Sequence, residues 1–427
     1  MDPAAMDAAD LPGIDPRRAA YFAHFLPKFD NQSDDQLLGP RVDASELAHL
    51  LVTKKHSGSL VMAPPFFSKN GTANAFSRMG ALLLREHFAA AWADGGPAGE
   101  EPGASRFRAW WADAERRGLC YSFEVVVPRV LMDHGATPEG AYAVLTVVTS
   151  VRDGRVLSPV DSLDLATQWR LPLNEGWFLP RGRAAAVEAR LREERWTMLD
   201  ADCERIMAGS GAVARQGFLR HGDVQGQVLE GFVLVHVAGA ESAGLAERAR
   251  RYEEAMAPRR EEATRRAVAL GARCLRRDPE VLALLEAPID GCPEPVPTRE
   301  PKEGLWERLA PAAGPGAPAP GSLGEEPIAR LLQLLRRSYG HWVTPTSYAY
   351  GGRALVQLNV RNDLVFFTAA RLHEHGLGAA RLFRGLVLGF PPEGAGAGPG
   401  FGPGEEAPRS EASVEGIVKL KCLPYLL

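Results

Sequence analysis

The stretch Gln227–Val237 (Q-V-L-E-G-F-V-L-V-H-V) constrains this chain most. Its run of β-branched and aliphatic residues predicts a strand buried in a sheet. It also carries an acid, Glu230, between apolar neighbours. A carboxylate there is costly unless it is paired or holds a cation. The alternative is an edge-strand charge that blocks aggregation. Any fold must give this strand sheet neighbours and give Glu230 a positive partner or water.

Other segments follow the same logic. Strands are predicted at 59–62, 120–127, 141–151, 353–360, 384–389 and 416–423, with a β-leaning approach to Lys54. Helical periodicity covers 73–94 and 105–117, an exposed charge-alternating stretch at 183–194, two Arg/Glu-rich pieces within 240–287, and 325–338. Two Pro/Gly-rich stretches, 288–323 and 391–413, read as linkers. The expected organisation is a loose N-terminus over 1–20 and a core over 21–287. A small α/β segment at 324–390 lies between the linkers, and a last strand within 414–427 returns to the core.

Composition narrows the function. Forty-nine Lys and Arg against 53 Asp and Glu leave a net charge of −4, so nucleic acid could be met only by a local patch. Cys120, Cys203, Cys274, Cys292 and Cys422 show no paired spacing, against a disulfide framework or a zinc ribbon. No apolar run approaches the roughly 18 residues of a membrane span, and the acidic start (Asp2, Asp7, Asp10) is unlike a targeting peptide. Nucleus or cytoplasm is the expected address. The 49 cations comprise 42 arginines and only seven lysines. Lysine can lose its proton and act as a nucleophile; arginine cannot. The retained lysines are therefore candidates, and five of them fall at 54–69 and 419–421.

Four groups of residues can carry chemistry. Lys55-His56-Ser57-Gly58 sits at a strand–turn–strand junction, where a rigid lysine could attack phosphorus, Gly58 could admit a phosphate, and Lys54 could act as a neighbouring cation. The alternative is a solvated hairpin turn. Glu124, on the strand at 120–127, faces opposite to Phe123 and Val125 and could accept from ribose hydroxyls. Glu230 suits Mg²⁺, which takes one or two carboxylates plus phosphates. Lys419 and Lys421, two apart on a strand, share a face and could flank an anion such as a triphosphate, or simply face solvent. Trp169, Arg170 and Trp177 add aromatic and cationic surface that is equally compatible with core packing. There is no P-loop, no G-x-G-x-x-G before a helix and no H-E-x-x-H.

In order, K-x-x-G, a strand Glu, E-G within a strand and K-x-K resemble the covalent nucleotidyltransferases: RNA ligases, DNA ligases and capping enzymes. F-L-P-K-F-D-N-Q (25–32), K-H-S-G-S-L (55–60), S-K-N-G (68–71), L-M-D-H-G (131–135), Q-W-R-L-P-L-N-E-G-W (168–177), V-Q-G-Q-V-L-E-G-F-V (224–233) and V-K-L-K-C-L-P-Y (418–425) resemble the ligase domain of plant-type tRNA ligases. The resemblance implies an α+β nucleotidyltransferase fold, ATP-grasp-like, of antiparallel sheets flanked by helices with an insertion before the last motif. It implies Lys55 as the AMP-carrying lysine, with Glu124 on the ribose, Glu230 on the metal or the lysine, and Lys419 and Lys421 on the phosphates. Lys69 and Asn70 would meet the phosphate or RNA end, Lys28 could reach the nucleotide, and Trp169 and Arg170 would line its pocket. ATP and Mg²⁺ (or Mn²⁺) would be the cofactors, and cleaved RNA, such as tRNA exon halves, the partner. Ser57 stands where many ligases carry Asp or Asn. The kinase and cyclic phosphodiesterase domains of the plant-type proteins have no counterpart here, as expected for a fragment, an isolated domain or a stand-alone ligase. The alternatives are a DNA ligase or capping-type enzyme on the same core, or an RNA-binding module with a decayed site.

Overall fold

A computed structural model describes residues 20–24, 30–31, 47–68, 75–93, 101–127, 140–151, 156–183, 186, 190, 200–220, 222–224, 229–239, 243–287, 289–292, 294–295, 309, 331–332, 335–336, 343–350, 353–360, 385–390 and 418–421. The strands are β1 (Ala20–His24), β2 (Asp30–Asn31), β3 (Leu47–His56), β4 (Ser59–Ala63), β5 (Phe67–Ser68), β6 (Leu119–Val126), β7 (Tyr142–Ser150), β8 (Gly176–Pro180), β9 (Ala214–Gln216), β10 (Leu229–Ala238), β11 (Glu294–Pro295), β12 (Val343–Tyr350), β13 (Arg353–Val360), β14 (Gly385–Phe390) and β15 (Val418–Lys421). The helices are α1 (Ala75–Ala91), α2 (Pro102–Arg117), α3 (Pro159–Trp169), α4 (Asp200–Met207), α5 (Leu245–Leu275) and α6 (Pro279–Glu286).

The class is α+β. Three sheets form, in the orders β5-β4-β6-β7, β2-β15-β10-β3-β8-β9 and β1-β14-β13-β12-β11. Neighbouring strands run antiparallel apart from the two-residue β2–β15 pair. Alternation along β4 and β6 explains the layering. Val61, Ala63, Tyr121, Phe123 and Val125 face a core shared with α1, α2, α3 and α5. Leu60, Met62 and Cys120 face the other way, onto Ala23, Tyr348 and Leu355 of the five-stranded sheet. Buried Gln357 ties those two sheets together by donating to the Ser68 carbonyl at 3.1 Å. The six-stranded sheet packs Leu50, Val52, Trp177, Phe232 and Leu234 against Cys203, Ile206 and Met207 of α4. No helix among the described residues is long and apolar enough to cross a membrane.

Two departures from the sequence reading have local causes. Strand β12 is an addition. Its Pro345 argues against a strand, but β11 covers only Tyr348 and Ala349, so Pro345 stands on an outer edge where its missing N–H breaks no ladder. The first of the two helices expected within 240–287 runs for 31 residues straight through Pro258. Leu245, Ala249, Tyr252, Met256, Ala263 and Leu270 keep one buried stripe along it, and this packing outweighs the proline. The helices expected at 183–194 and 325–338 lie largely outside the described residues, as does the segment before residue 20.

α5 crosses the chain just before β7 at very close range. A Cβ on Gly271 would lie 2.0 Å from the Ala141 nitrogen and 2.6 Å from the Gly140 carbonyl carbon. Backbone on both sides cannot yield cheaply. Gly271→Ala is therefore expected to lower stability by about 1–3 kcal/mol or more, read as a reduced urea midpoint with an unchanged slope.

Candidate active site

The site is built around the end of β3. Leu50, Val52, Lys54 and His56 point to one face, and Leu51, Thr53 and Lys55 to the other. The two adjacent lysines therefore have opposite fates. The side chains of Lys54 and Glu175 are each 2% exposed, and the two form an ion pair. Lys54 also stands 5.8 Å from the Trp177 ring centroid. Lys55 opens onto the other face, where it pairs with Glu230, whose side chain is 38% exposed. Lys54, expected to be a cation beside the nucleotide, is thus committed to the interior: consecutive strand residues cannot serve the same face.

Glu230 reaches Lys55 because of an irregularity. Gly231 pairs with Lys55 and Leu229 pairs with His56, so Glu230 is an extra residue between two pairs. Such a bulge re-aims a side chain. Gly231 has φ 139, backbone that glycine alone adopts readily, which gives the E-G dipeptide its physical meaning.

β15 lies beside β10. Lys421 pairs with Gly231 and Lys419 with Val233. Residues directly opposite share a face. Lys55, Gly231 and Lys421 therefore form one row across three strands, and Thr53, Val233 and Lys419 form the next. At about 4.8 Å per strand interval, Lys55 and Lys421 are about 10 Å apart along the row.

After His56 the chain leaves the six-stranded sheet and enters the four-stranded one at Ser59. Glu124, on β6, holds this corner: its Oε1 accepts from the Gly58 N–H at 3.1 Å. A Cβ on Gly58 would lie 2.7 Å from the Val125 carbonyl oxygen, so the glycine lets β6 approach the turn. Behind the corner, buried His56 meets the Tyr142 hydroxyl at 3.0 Å and Asn174 Oδ1 at 2.9 Å. Asn174 Nδ2 donates to the Lys54 carbonyl at 2.7 Å, which fixes its amide orientation and makes His56 Nε2 the donor to Oδ1.

The sequence reading assigned no role to Asn174 or Glu175. Buried Glu175 is the hub of an ionic chain that runs outward from it. Besides Lys54 it accepts from Arg215 Nε at 2.9 Å and Arg220 Nη1 at 3.2 Å. Arg215 continues to Glu204, and Arg220 to Glu253, which Arg260 binds in two-pronged fashion at 2.7 and 2.9 Å.

Trp169 and Arg170 are engaged elsewhere. Trp169 ends α3 inside the main core, and its carbonyl accepts from Trp92 Nε1 at 3.3 Å. Arg170 caps α3 with φ 50, and its Nη1 donates to the Ala91 carbonyl at 2.7 Å. They serve the helical layer and not the Lys55 corner. Trp177 packs under Lys54 on the face away from Lys55. Lys28, Lys69 and Asn70 lie outside the described residues. Among the described residues no three His, Cys, Asp or Glu side chains cluster as a metal site. A hard cation would find Glu230 beside Lys55, and one carboxylate fits Mg²⁺ shared with substrate phosphates.

These features define an α+β protein that presents one lysine, held by a bulge carboxylate, at the junction of two sheets. Part of its sequence is similar to a plant tRNA ligase. It is 31% identical over 225 residues to tRNA ligase 1 of Arabidopsis thaliana, a match covering 49% of this chain and 19% of that protein. The chain thus spans about a fifth of the length of the curated relative it matches. No family model matches.

Two predictions follow from these contacts. Glu175→Ala strands Lys54 without its carboxylate and should lower the unfolding free energy by about 3–5 kcal/mol. Lys54→Met leaves Glu175 its two arginines and should cost less, so the two urea titrations together weigh the hub. The second concerns His87, buried in α1 and 2.6 Å from the Arg170 carbonyl. Burial lowers its pKa from 6.5 to about 4, against the raising effect of that hydrogen bond. The unfolded chain takes a proton near pH 6.5 and the folded one near 4. Stability is therefore full above 6.5 and falls by about 3 kcal/mol as pH drops through that window. His87→Gln should lose less stability than the native chain between pH 7 and pH 4; an equal loss would assign the acid sensitivity to other groups.

Proposed function

We propose that this chain is the adenylyl-transferring part of an ATP-dependent RNA ligase, with Lys55 as its nucleophile. The observation that carries the reading is the contact between Lys55 and the bulge carboxylate of Glu230, on a face whose next strand bears Lys419 and Lys421. The relationship to a plant tRNA ligase supports it.

A lysine that attacks phosphorus must be neutral, so its proton needs an acceptor within reach. Glu230 is that acceptor. Neutral Lys55 Nζ bonds to the α-phosphorus of ATP, the bond to the bridging oxygen breaks, and pyrophosphate leaves. The product is a phosphoramidate carrying AMP. Fixed cations stabilise charge gathering on phosphates, and the row positions of Lys419 and Lys421 suit them to this. Mg²⁺ or Mn²⁺, held by the phosphates and Glu230, would neutralise further charge when bound. Glu124 holds the Gly58 turn and thereby the lysine's strand end; contact with the ribose is a further role proposed for it. An RNA 5′-phosphate oxygen would next attack the AMP phosphorus and release Lys55, giving A-p-p-RNA. A 3′-hydroxyl would then attack the RNA phosphate and release AMP. The family relationship favours tRNA exon halves, with a 2′-phosphate on the accepting end, as substrates.

Intact-mass measurement after incubation with ATP and Mg²⁺, without RNA, tests this directly. The native chain should gain one acid-labile AMP. Lys55→Ala should gain none, and neither should Lys55→Arg, whose guanidinium keeps its proton. Glu230→Ala should fold yet lose most of the rate. An adduct on Lys55→Arg would sink the assignment, and labelling by GTP in place of ATP would favour a capping-type enzyme.

A further inference from the structure

Trp92, just beyond α1, carries two guanidinium groups. Arg106 of α2 lies with Cζ 4.6 Å from the indole centroid, and Arg170 at 4.0 Å. Both contacts are within cation–π range. The indole is fixed by its Nε1 hydrogen bond to the Trp169 carbonyl, and Arg170 by its left-handed backbone and its bond to the Ala91 carbonyl. These are pre-organised groups, not waving surface side chains.

Their electrostatics are unusual for this molecule. Along α5 the arginines are matched to carboxylates: Arg250 and Arg251 to Glu247, Arg265 and Arg266 to Glu262, Arg273 to Asp278. Among the described residues neither Arg106 nor Arg170 has such a partner, and the Glu101 side chain makes no capping hydrogen bond at the start of α2. Burial, and then the charge of Arg106, lower the pKa of Arg170. Two like charges gathered on one ring, in a chain of net charge −4, call for an anion.

We propose that the Arg106–Trp92–Arg170 cluster is a phosphate-binding subsite for the RNA strand, separate from the Lys55 corner. Guanidinium presents planar N–H forks that match phosphate oxygens, and stacking on the ring leaves those edges available. Arg170 Nη1 is taken by the Ala91 carbonyl; among the described residues the rest of its fork and that of Arg106 remain for a phosphodiester. Arg170 lies five residues, at most about 17 Å of chain, before Glu175, which holds Lys54 beside the nucleophile. The inference rests on the RNA ligase reading for its ligand, and on geometry alone for its anion.

The test uses Arg106→Gln, an exposed position whose loss should leave the fold intact. Binding of a labelled single-stranded RNA oligonucleotide is measured across a salt series, beside AMP-adduct formation without RNA. Removing one phosphate contact should lower the slope of log affinity against log salt by about one. It should also weaken RNA binding about 5- to 10-fold at 0.1 M salt, with adduct formation unchanged. Arg106→Lys should restore the slope but not the full affinity, because it keeps the charge and loses the fork. An unchanged affinity and slope in Arg106→Gln, with the adduct still forming, would overturn the subsite and leave the ligase reading standing. Weakened RNA binding in a chain that never forms the adduct would uphold the subsite and remove the ligase reading.

Discussion

The alternation of β3 across its sheet governs the rest of the molecule. Two successive lysines meet two different environments one peptide bond apart. Lys54 is taken inward and neutralised by Glu175, while Lys55 faces a carboxylate that is partly open to solvent. The inward pair anchors the outward one. Lys54 cannot move without stranding a charge in the interior, and its backbone N–H is itself bound to the Glu175 carbonyl at 3.0 Å. Lys55 thus stands on a stiff base, and that stiffness comes from electrostatics on the back of the strand. The further chain through Arg215, Arg220, Glu253 and Arg260 extends that support to α5.

Much of the frame was legible before any coordinates. β6, β7 and β10 read as strands because each runs largely apolar over eight to ten residues, and α1 and α2 as helices because their apolar faces repeat at helical spacing; β3 showed only as a β-leaning approach to Lys54, and β4 as the short run 59–62. Glu230 stood out because an acid in V-L-E-G-F-V must be explained by something. What failed was inference from adjacency. Lys54 follows directly on the strand from Thr53 and precedes Lys55, yet serves another face. Trp169 and Arg170 were expected at the nucleotide pocket because Q-W-R-L-P-L-N-E-G-W resembles a ligase motif; in space they close off a helix.

The residues that sequence reading missed share one property: their partners are distant along the chain. His56 and Asn174 meet across 118 positions, and Asn174 reaches the Lys54 carbonyl across 120. Neither residue type, read alone, signals anything but a turn or a polar surface. The bulge at Glu230 is likewise invisible without its partner strand, since a bulge is a mismatch between two strands and not a property of one. Pro345 is the converse case, a local signal against a strand that an outer position makes harmless.

The row that joins Lys55 to Lys421 spans nearly the whole chain. β3 precedes β10 along the chain, and β10 precedes β15, so they are made in that order. While the polypeptide is emerging, the lysine at position 55 can meet its carboxylate but not the cations opposite. If those cations have the role proposed for them, the growing chain holds a dormant lysine, and competence arrives only when β15 docks. Order of synthesis would then keep a chain that still lacks β15 from reacting with nucleotide.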